Sequence, residues 1–455
     1  MLIRHAEVMG HGPADVRLAG DRIAEIGALA PRAGEAVIDA AGGLLLPGLH
    51  DHHIHLSGLA VRAQSVACGP PGVTTPDALA RQLQRPGNGW IRGIGYHESV
   101  MGLPDAKQLD RLVSDRPLRI QHRSGRLWLL NSRALAELLG RANAPPGLDR
   151  QKGHLFDEDR WLQAALASSP PDFAAVSAEL AGFGVTGLTD MTPRNDTTTA
   201  RHFTGERRSG ALLQHCMLAG ELSLAESPPG DWLLGPAKLH LHEAAIPDFG
   251  ETAAFIADAH RQGREVAIHC VSEIELVFAL AVLEHAGPRP GDRIEHASVA
   301  SPELVARMAT LRLAVCVQPH FIAERGDRYL ADVEPRHRPD LYRLRSLVEA
   351  GIPIAGGSDA PFASHDPWAA MAAATARRTR AGRVIGAGEA LTPEEALALY
   401  LADPLDLARR RRIAPGEPAD LCLLQQPWST ARETLSSAAV RATIVSGQLV
   451  HQAPV

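Results

Sequence analysis

The sequence predicts an α/β fold: a (β/α)8 TIM barrel with a small discontinuous β-sandwich domain from both termini and an inserted subdomain after barrel strand 1. Three observations predict it. Apolar strand-like runs alternate with helical stretches rich in Ala, Leu, Glu and Arg, as parallel βα units require. Short strands of alternating polarity occupy both ends of the chain. The 455 residues are enough for one large domain with additions.

The two ends of the chain predict one discontinuous β domain of residues 1–49 and 413–455. Apolar and polar residues alternate in runs bounded by glycine turns, which is typical of small antiparallel strands. The predicted strands cover residues 2–8, 15–18, 22–26, 36–39, 44–48, 420–424 and 440–445.

Between the ends, eight apolar runs finish in polar or metal-capable residues and predict eight barrel strands. They cover residues 50–56, 184–190, 212–217, 238–243, 266–270, 293–296, 314–318 and 353–359. The barrel domain is then formed by residues 50–58 and 180–412. The arginine run Arg409–Arg412 is expected to be a solvated face at the end of the barrel helices.

The interval between the first two barrel strands is longer than a crossover connection needs, so it predicts an insertion over residues 59–179. Strand-like runs at 90–96 and 118–122 indicate that the insertion has a sheet of its own. We expect it to act as a lid or substrate subdomain.

Composition narrows the classes of partner. The formal charge of −6 provides no basic field for nucleic acid or an anionic membrane surface. There is neither an export-type apolar segment at the start nor an apolar run of roughly 18 residues, so a cytoplasmic protein is expected. The five cysteines lack C-x-x-C spacing and are interpreted as reduced thiols. A small-molecule substrate is the expected partner, and assembly into a homo-oligomer stays open.

The first barrel strand carries the strongest chemical signal. Alternation along a strand places Asp51, His53 and His55 on one face, so two imidazoles can bind one ion. Further strands end in potential ligands, and active sites of such barrels form where strands end. These further residues are Lys238, His269, His296 and Asp359. The pattern predicts a metal site.

On these residues the sequence resembles the amidohydrolase superfamily, specifically its branch of uncharacterised metal-dependent hydrolases that includes N-substituted formamide deformylases. The matching stretches run nearly from end to end. They are residues 47–55, 184–186 with Asp190, Lys238, 268–269, 295–297, 318–319, 357–359, 414–416 and 419–421, with 90–93, 130–132 and 134–135 in the insertion.

The resemblance implies a ligand set and a reaction. His53, His55 and Asp359 would hold a first metal, His269 and His296 a second, and Lys238, carboxylated by carbon dioxide, would bridge them. Zinc is favoured among divalent metals, although iron, manganese and nickel also suit these ligands. The activity implied is hydrolysis of a C–N bond in an amide, N-substituted formamide or cyclic amide, with Asp359 as general acid and base. Only three of the 46 basic residues are lysines, so a lysine at this strand end supports the site.

Departures from the family pattern suggest three substrate contacts. His242 and Glu243 stand where relatives have Asp-Gly. His240 and His242 share a predicted face with Lys238, so one of them is interpreted as a further ligand or substrate contact, or as a hydrogen-bonded barrel histidine. Arg126 replaces a histidine of the relatives and favours a substrate with a carboxylate or another planar anion. His320, after the seventh strand, is interpreted as orienting substrate or as an ordinary rim histidine.

Two other interpretations stay open. A mononuclear deaminase would use Glu273, four residues after His269, as its acid. A catalytically silent barrel protein would keep the fold without turnover. At single positions, Lys238 could instead extend out of the barrel rim and Asp359 could cap a helix.

Overall fold

The protein is described by a computed structural model that covers residues 1–70, 72–84, 86–87, 89–166 and 170–454. Within these residues the strands, numbered in chain order, are β1 (Leu2–Val8), β2 (Gly12–Ala19), β3 (Arg22–Gly27), β4 (Val37–Asp39), β5 (Leu44–Pro47), β6 (Leu49–Ile54), β7 (Val66–Ala67), β8 (Ile91–Tyr96), β9 (Leu118–His122), β10 (Leu127–Leu130), β11 (Leu148–Asp149), β12 (His154–Phe156), β13 (Val185–Asp190), β14 (His215–Gly220), β15 (Leu233–His240), β16 (Val266–Cys270), β17 (Arg293–His296), β18 (Ala314–Val317), β19 (Ile354–Gly356), β20 (Ala402–Asp403), β21 (Asp406–Arg410), β22 (Leu421–Leu424), β23 (Val440–Val445) and β24 (Gln448–Gln452).

The α-helices of the same residues are α1 (Leu56–Ala63), α2 (Pro76–Leu83), α3 (Ala106–Leu112), α4 (Ser132–Arg141), α5 (Asp159–Leu166), α6 (Ala174–Gly182), α7 (Thr197–Ser209), α8 (Phe249–Arg261), α9 (Glu273–Ala286), α10 (Pro302–Thr310), α11 (His320–Asp332), α12 (Leu344–Glu349), α13 (Pro367–Ala376), α14 (Pro393–Ala398) and α15 (Trp428–Thr434). No described helix is both long and apolar enough to cross a membrane.

The chain divides into two compact units, one of Met1–Leu56 with Asp172–Val455 and one of Ser57–Pro171. The first unit contains a parallel sheet of eight described strands in the order β19-β18-β17-β16-β15-β14-β13-β6. This sheet confirms the predicted (β/α)8 barrel. Several of its βα loops end in an N-cap residue that starts the next helix, such as Asp196 before α7 and Ser272 before α9.

The barrel closes between β6 and β19, the two strands at the ends of the sheet order. The Asp359 amide donates to the His53 carbonyl at 2.6 Å, and the His55 amide donates to the Ala360 carbonyl at 2.8 Å. Gly357 lies against the same seam, where a Cβ would sit 2.4 Å from that of His53. The seam therefore brings three predicted metal ligands to the carboxyl end of the barrel.

The terminal β domain also lies in the first unit. Its strands, from both ends of the chain, form one described sheet in the order β24-β23-β22-β5-β1-β2-β3, with β4 paired to β1. The join is β5 with β22, which are antiparallel. Side chains from both ends share one buried core, including Ile3, Leu45, Leu421 and Ile444. The sheet agrees with the predicted β domain from both termini, and its boundaries of 1–49 and 413–455 stay predictions.

The second unit is built on a described sheet in the order β11-β12-β10-β9-β8-β7. One core contains Leu79, Leu109 and Ile120, and the other contains Trp128 and Leu138. The sequence-based boundaries of 59–179 and the lid role stay predictions.

Several local predictions were wrong. Strand β14 was expected over 212–217 but runs from His215 to Gly220, and β19 was expected over 353–359 but ends at Gly356. Strand β15 was expected over 238–243, but it runs from Leu233 to His240. A β-bulge, in which Gly235 and Pro236 lie opposite the single residue Ala219, lets the strand begin before Ala237. The run Arg409–Arg412 was expected on a helix, but its first two residues lie in the β20–β21 hairpin. Arg411 instead donates to the carbonyls of Ala402 and Tyr400.

Candidate metal centre

Three side chains at the barrel seam converge on one point. The Nε2 atoms of His53 and His55 lie 3.4 and 3.1 Å from the same Asp359 oxygen, Oδ1. One nitrogen or oxygen from each of the three lies within 4.8 Å of the others, as ligands of one ion would. The sequence prediction of these three ligands is therefore matched by their proximity.

The other ring nitrogens of these histidines are already engaged. His53 Nδ1 donates to Glu295 Oε2 at 2.5 Å, and His55 Nδ1 lies 3.1 Å from the Thr192 hydroxyl. A histidine that donates through Nδ1 carries its lone pair on Nε2, the atom that faces Asp359. The hydrogen bonds thus prepare His53 for metal binding.

Asp359 is held by backbone geometry as well as by its partners. Its φ of 51° is in the left-handed region, which aspartate tolerates better than most residues. The preceding amide, that of Ser358, donates to the buried Asp51 carboxylate at 2.9 Å. The next described helix, α13, is capped by Asp366, and the carboxylate of Asp359 faces His53 and His55 instead.

The predicted second group of ligands lies along the same mouth of the barrel. The rings of His53 and His296 are 4.9 Å apart, and those of His296 and His269 are 4.6 Å apart. His296 Nδ1 donates to Gln318 Oε1 at 2.7 Å, which leaves its lone pair on Nε2. Lys238 lies on β15, whose register pairs it with Ala267 of the His269 strand.

Two of these side chains have buried polar atoms without a hydrogen-bond partner among the described residues. They are Nζ of Lys238 and Nε2 of His296. Burying a polar atom unpaired costs about 1–3 kcal/mol, and more for a charge. A metal ion bound to His296 Nε2 and a carboxyl group on Lys238 Nζ would give these two atoms the partners that they lack.

Burial and neighbouring charges shift the pKa values of the side chains at this site. Burial lowers the pKa of Lys238 below its usual value. Burial alone would raise the pKa of Asp359, but its hydrogen bonds to His53 and His55 hold the pKa well below the usual range. Burial, with the neighbouring His53, lowers the pKa of His296 to about 3, so its ring is neutral and able to bind metal.

Glu295 is a site residue that the sequence analysis did not single out. It is fully buried, accepts from Arg293 Nε at 2.6 Å and faces His53 with its other oxygen. Burial opposes its charge, but Arg293, Lys238 and His53 hold its pKa well below the usual value. The available signal was the alternation of Arg293 and Glu295 on the strand that ends in His296.

The three predicted substrate contacts have different surroundings. His320 is buried, donates from Nε2 to the Ser358 carbonyl at 2.8 Å, and has no described partner for Nδ1. His242 follows the end of β15 in an exposed turn, where its Nδ1 accepts from the Ala244 amide. Arg126, in the second unit, is exposed and forms two hydrogen bonds to Asp157.

Two neighbours complete the description of this rim. His240, the last residue of β15, stacks on His269 with ring centroids 4.1 Å apart. Glu273, the acid of the deaminase hypothesis, lies 3.7 Å from His337, and no described contact joins it to a candidate ligand.

A barrel with histidines, a carboxylate and a buried lysine at its carboxyl mouth defines a class of metal-dependent hydrolases. The model of the Amidohydrolase family matches residues 36–451. The chain belongs to the amidohydrolase family, and it is an enzyme that hydrolyses carbon–nitrogen bonds with a metal.

Individual relatives agree with this assignment. N-substituted formamide deformylase of Arthrobacter pascens is 26% identical over 96% of this chain and 94% of its own length. YtcJ of Bacillus subtilis (strain 168) is 25% identical over 91% of this chain and 90% of its own. An uncharacterised metal-dependent hydrolase from Pyrococcus horikoshii OT3 has the same fold, with a TM-score of 0.80, 19% identity, and coverage of 95% of this chain and 98% of its own.

Proposed function

We propose that the protein cleaves a non-peptide C–N bond of a small amide, N-substituted formamide or cyclic amide. The observation that carries the proposal is the convergence of His53 and His55 on the Asp359 carboxylate. The similarity to N-substituted formamide deformylase supports the formamide class among these substrates.

The residues present fit a divalent metal site. His53, His55 and Asp359 would hold one ion, and His269, His296 and Lys238 would serve a second. Zinc is the ion we favour, although iron, manganese and nickel suit the same ligands. The metal would supply Lewis acidity, which polarises the substrate carbonyl and acidifies water.

We assign the proton transfers to Asp359. Water adds to the carbonyl carbon, and Asp359 accepts a proton released by that water. As the C–N bond breaks, the same carboxyl returns the proton to the leaving nitrogen. The products are a carboxylic acid, or formate from a formamide, and an amine. His320 would orient the substrate, because it alone of the three predicted contacts has a buried ring nitrogen without a described partner.

We also propose that Lys238 is carboxylated. Its neutral Nζ would bond to the carbon of carbon dioxide and lose one proton, which gives a carbamate with two oxygen ligands. The unpaired, buried Nζ supports this modification. A guanidinium cannot form the same bridge.

The test replaces Lys238 and compares a matched control. Lys238→Arg keeps the positive charge but blocks carboxylation, whereas Lys107→Arg makes the same change on the exposed surface of α3. We expect wild type and Lys107→Arg to bind two ions and release amine from a panel of formamides and amides. Lys238→Arg should retain at most one ion and lose more than about 100-fold in kcat/KM.

Three outcomes would contradict the proposal. Release of ammonia from amino-substituted rings, with no amide cleavage, would favour the deaminase. Full metal content and activity in Lys238→Arg would exclude the carbamate. A metal-loaded protein without turnover on the whole panel would favour a silent barrel.

A further inference from the structure

The sheet of the second unit carries two adjacent arginines. Arg92 on β8 and Arg119 on β9 are register partners in a parallel pair, so both side chains lie on one face of the sheet. Both side chains are only partly exposed. Two like charges side by side in a partly buried place repel each other.

Tryptophans hold these guanidinium groups in place. The Cζ atoms of Arg92 and Arg119 each lie 5.5 Å from the Trp128 ring centroid, and that of Arg119 lies 5.8 Å from the Trp90 centroid. Cation–π stacking at such distances fixes the plane of a guanidinium and leaves its N–H edge free for an anion.

The nearby carboxylates are engaged by the indoles and not by the arginines. Trp128 Nε1 donates to Asp159 at 2.8 Å, and Trp90 Nε1 donates to Glu137 at 3.0 Å. Neither guanidinium forms a hydrogen bond or ion pair with any residue that the structure describes, and the Nε atoms of both are buried and unpaired.

Burial lowers the pKa of Arg92, and this effect is larger than that of the nearby negative charge of Asp159, which acts to raise it. The residues of Ser57–Pro171 outside the described ranges are proline, arginine, asparagine, alanine and serine, and none is acidic. Burial, together with the charge of Arg92, lowers the pKa of Arg119 to about 10, so Arg119 remains cationic at neutral pH. Arginine side chains are not deprotonated in proteins, so Arg92 is cationic as well.

We propose that Arg92 and Arg119 form an oxyanion site for a phosphate or carboxylate group of a small molecule. Two adjacent guanidinium groups can donate several N–H hydrogen bonds to one oxyanion. Such charge-assisted hydrogen bonds are stronger than hydrogen bonds between neutral groups. A nucleic-acid backbone is not favoured, since the chain carries a net charge of −6.

The experiment measures binding of inorganic phosphate and of citrate to the full-length, metal-loaded protein by calorimetry at matched ionic strength. Arg92→Gln and Arg119→Gln are compared singly and together. Arg160→Gln, on the exposed surface of α5, removes the same charge from the same unit as a control. The double variant Arg92→Lys/Arg119→Lys keeps both charges but removes the planar guanidinium groups. Circular dichroism checks that each variant is folded.

We expect each single Gln variant to weaken binding by about tenfold, and the double variant by more, because each replacement removes charge-assisted hydrogen bonds to the anion. The double Lys variant should also bind more weakly, and Arg160→Gln should bind as wild type does. Tighter binding of phosphate or of citrate then identifies the group that the site takes.

Unchanged binding in a folded double Gln variant would overturn the proposal, because it would locate the anion elsewhere, for instance at the metal centre. Equal weakening in Arg160→Gln would overturn it too, since the effect would then be general electrostatics. Absence of binding by both probes to wild type would also contradict it.

Discussion

At the scale of single residues, the two nitrogens of His53 have different roles. Nδ1 faces Glu295, and Nε2 faces Asp359. Partners behind a ligand fix its tautomer and its ring orientation. Glu295 is therefore interpreted as a positioning residue for the metal site, with Arg293 as its own buried counter-charge.

Replacement of Glu295 by Gln tests this role. We expect about 10–100-fold weaker metal affinity in Glu295→Gln, which is the usual cost of losing such a partner. Competition with a chromogenic chelator measures the affinity without relying on turnover. Glu349→Gln, an exposed change in the same unit, should bind metal as wild type does. Equal affinity of Glu295→Gln and wild type would show that Glu295 has no role in metal binding.

The clustering of His53, His55 and Asp359 could be expected from the sequence, because alternation on one strand and a polar strand end are local signals. Their role as metal ligands stays a prediction. The alternation on β17 was a weak signal for Glu295, because the importance of Glu295 depends on His53, a partner far away in the chain. The prediction that side chains alternate between two strand faces was wrong beyond His240. Strand β15 ends there, and His242 lies in a turn instead of on the Lys238 face.

At the scale of secondary-structure elements, the seam between β6 and β19 determines the site. The two backbone bonds of the seam hold the ends of both strands together. Gly357 allows this approach, since an added Cβ would lie 2.6 Å from the His53 amide nitrogen and 2.4 Å from its Cβ. Neither of these atoms can move without moving β6.

Gly357→Ala is therefore expected to lower the free energy of unfolding by about 1–3 kcal/mol, as overpacking does, and to weaken metal binding at the same time. Urea unfolding and chelator competition measure the two effects. In Gly388→Ala, the added Cβ would meet no atom within 4 Å, so this control should be close to wild type. A stable Gly357→Ala with normal metal affinity would contradict the importance of the seam.

Sequence patterns predicted most barrel strands, because a buried parallel strand is an apolar run of residues that is followed by polar residues at the barrel mouth. Prediction failed where the pairing of one strand with its neighbour, which a single run of residues does not reveal, decides the structure. The bulge in β15 depends on its pairing with β14. The arginine run predicted the end of a helix at Arg409 and Arg410, but the pairing of β21 with β20 makes both residues part of a hairpin.

At the scale of the whole molecule, the first unit joins the two ends of the chain in one sheet. Ile444 on β23 is 1% exposed and packs in the same core as Ile3 and Leu45. A side chain near one end of the sequence thus stabilises strands near the other.

We expect Ile444→Ala to lower the free energy of unfolding of the first unit by about 2–5 kcal/mol, the usual cost of a large-to-small change in a core. Leu449→Ala on the neighbouring β24 truncates a side chain that is 38% exposed and should cost much less. Thermal and urea unfolding compare the two variants. Equal losses would argue against a shared core between the chain ends.

The pairing of β5 with β22 also bears on how the chain is made. Synthesis proceeds from the N-terminus, so the first five strands emerge long before their partner at Leu421–Leu424. Until then the apolar edge at Leu44–Pro47 lacks its antiparallel neighbour, and unpaired edges invite aggregation. Pairing across nearly the whole chain is also intrinsically slow. The yield of soluble protein should therefore depend on chaperones that shield this N-terminal segment until translation reaches β22.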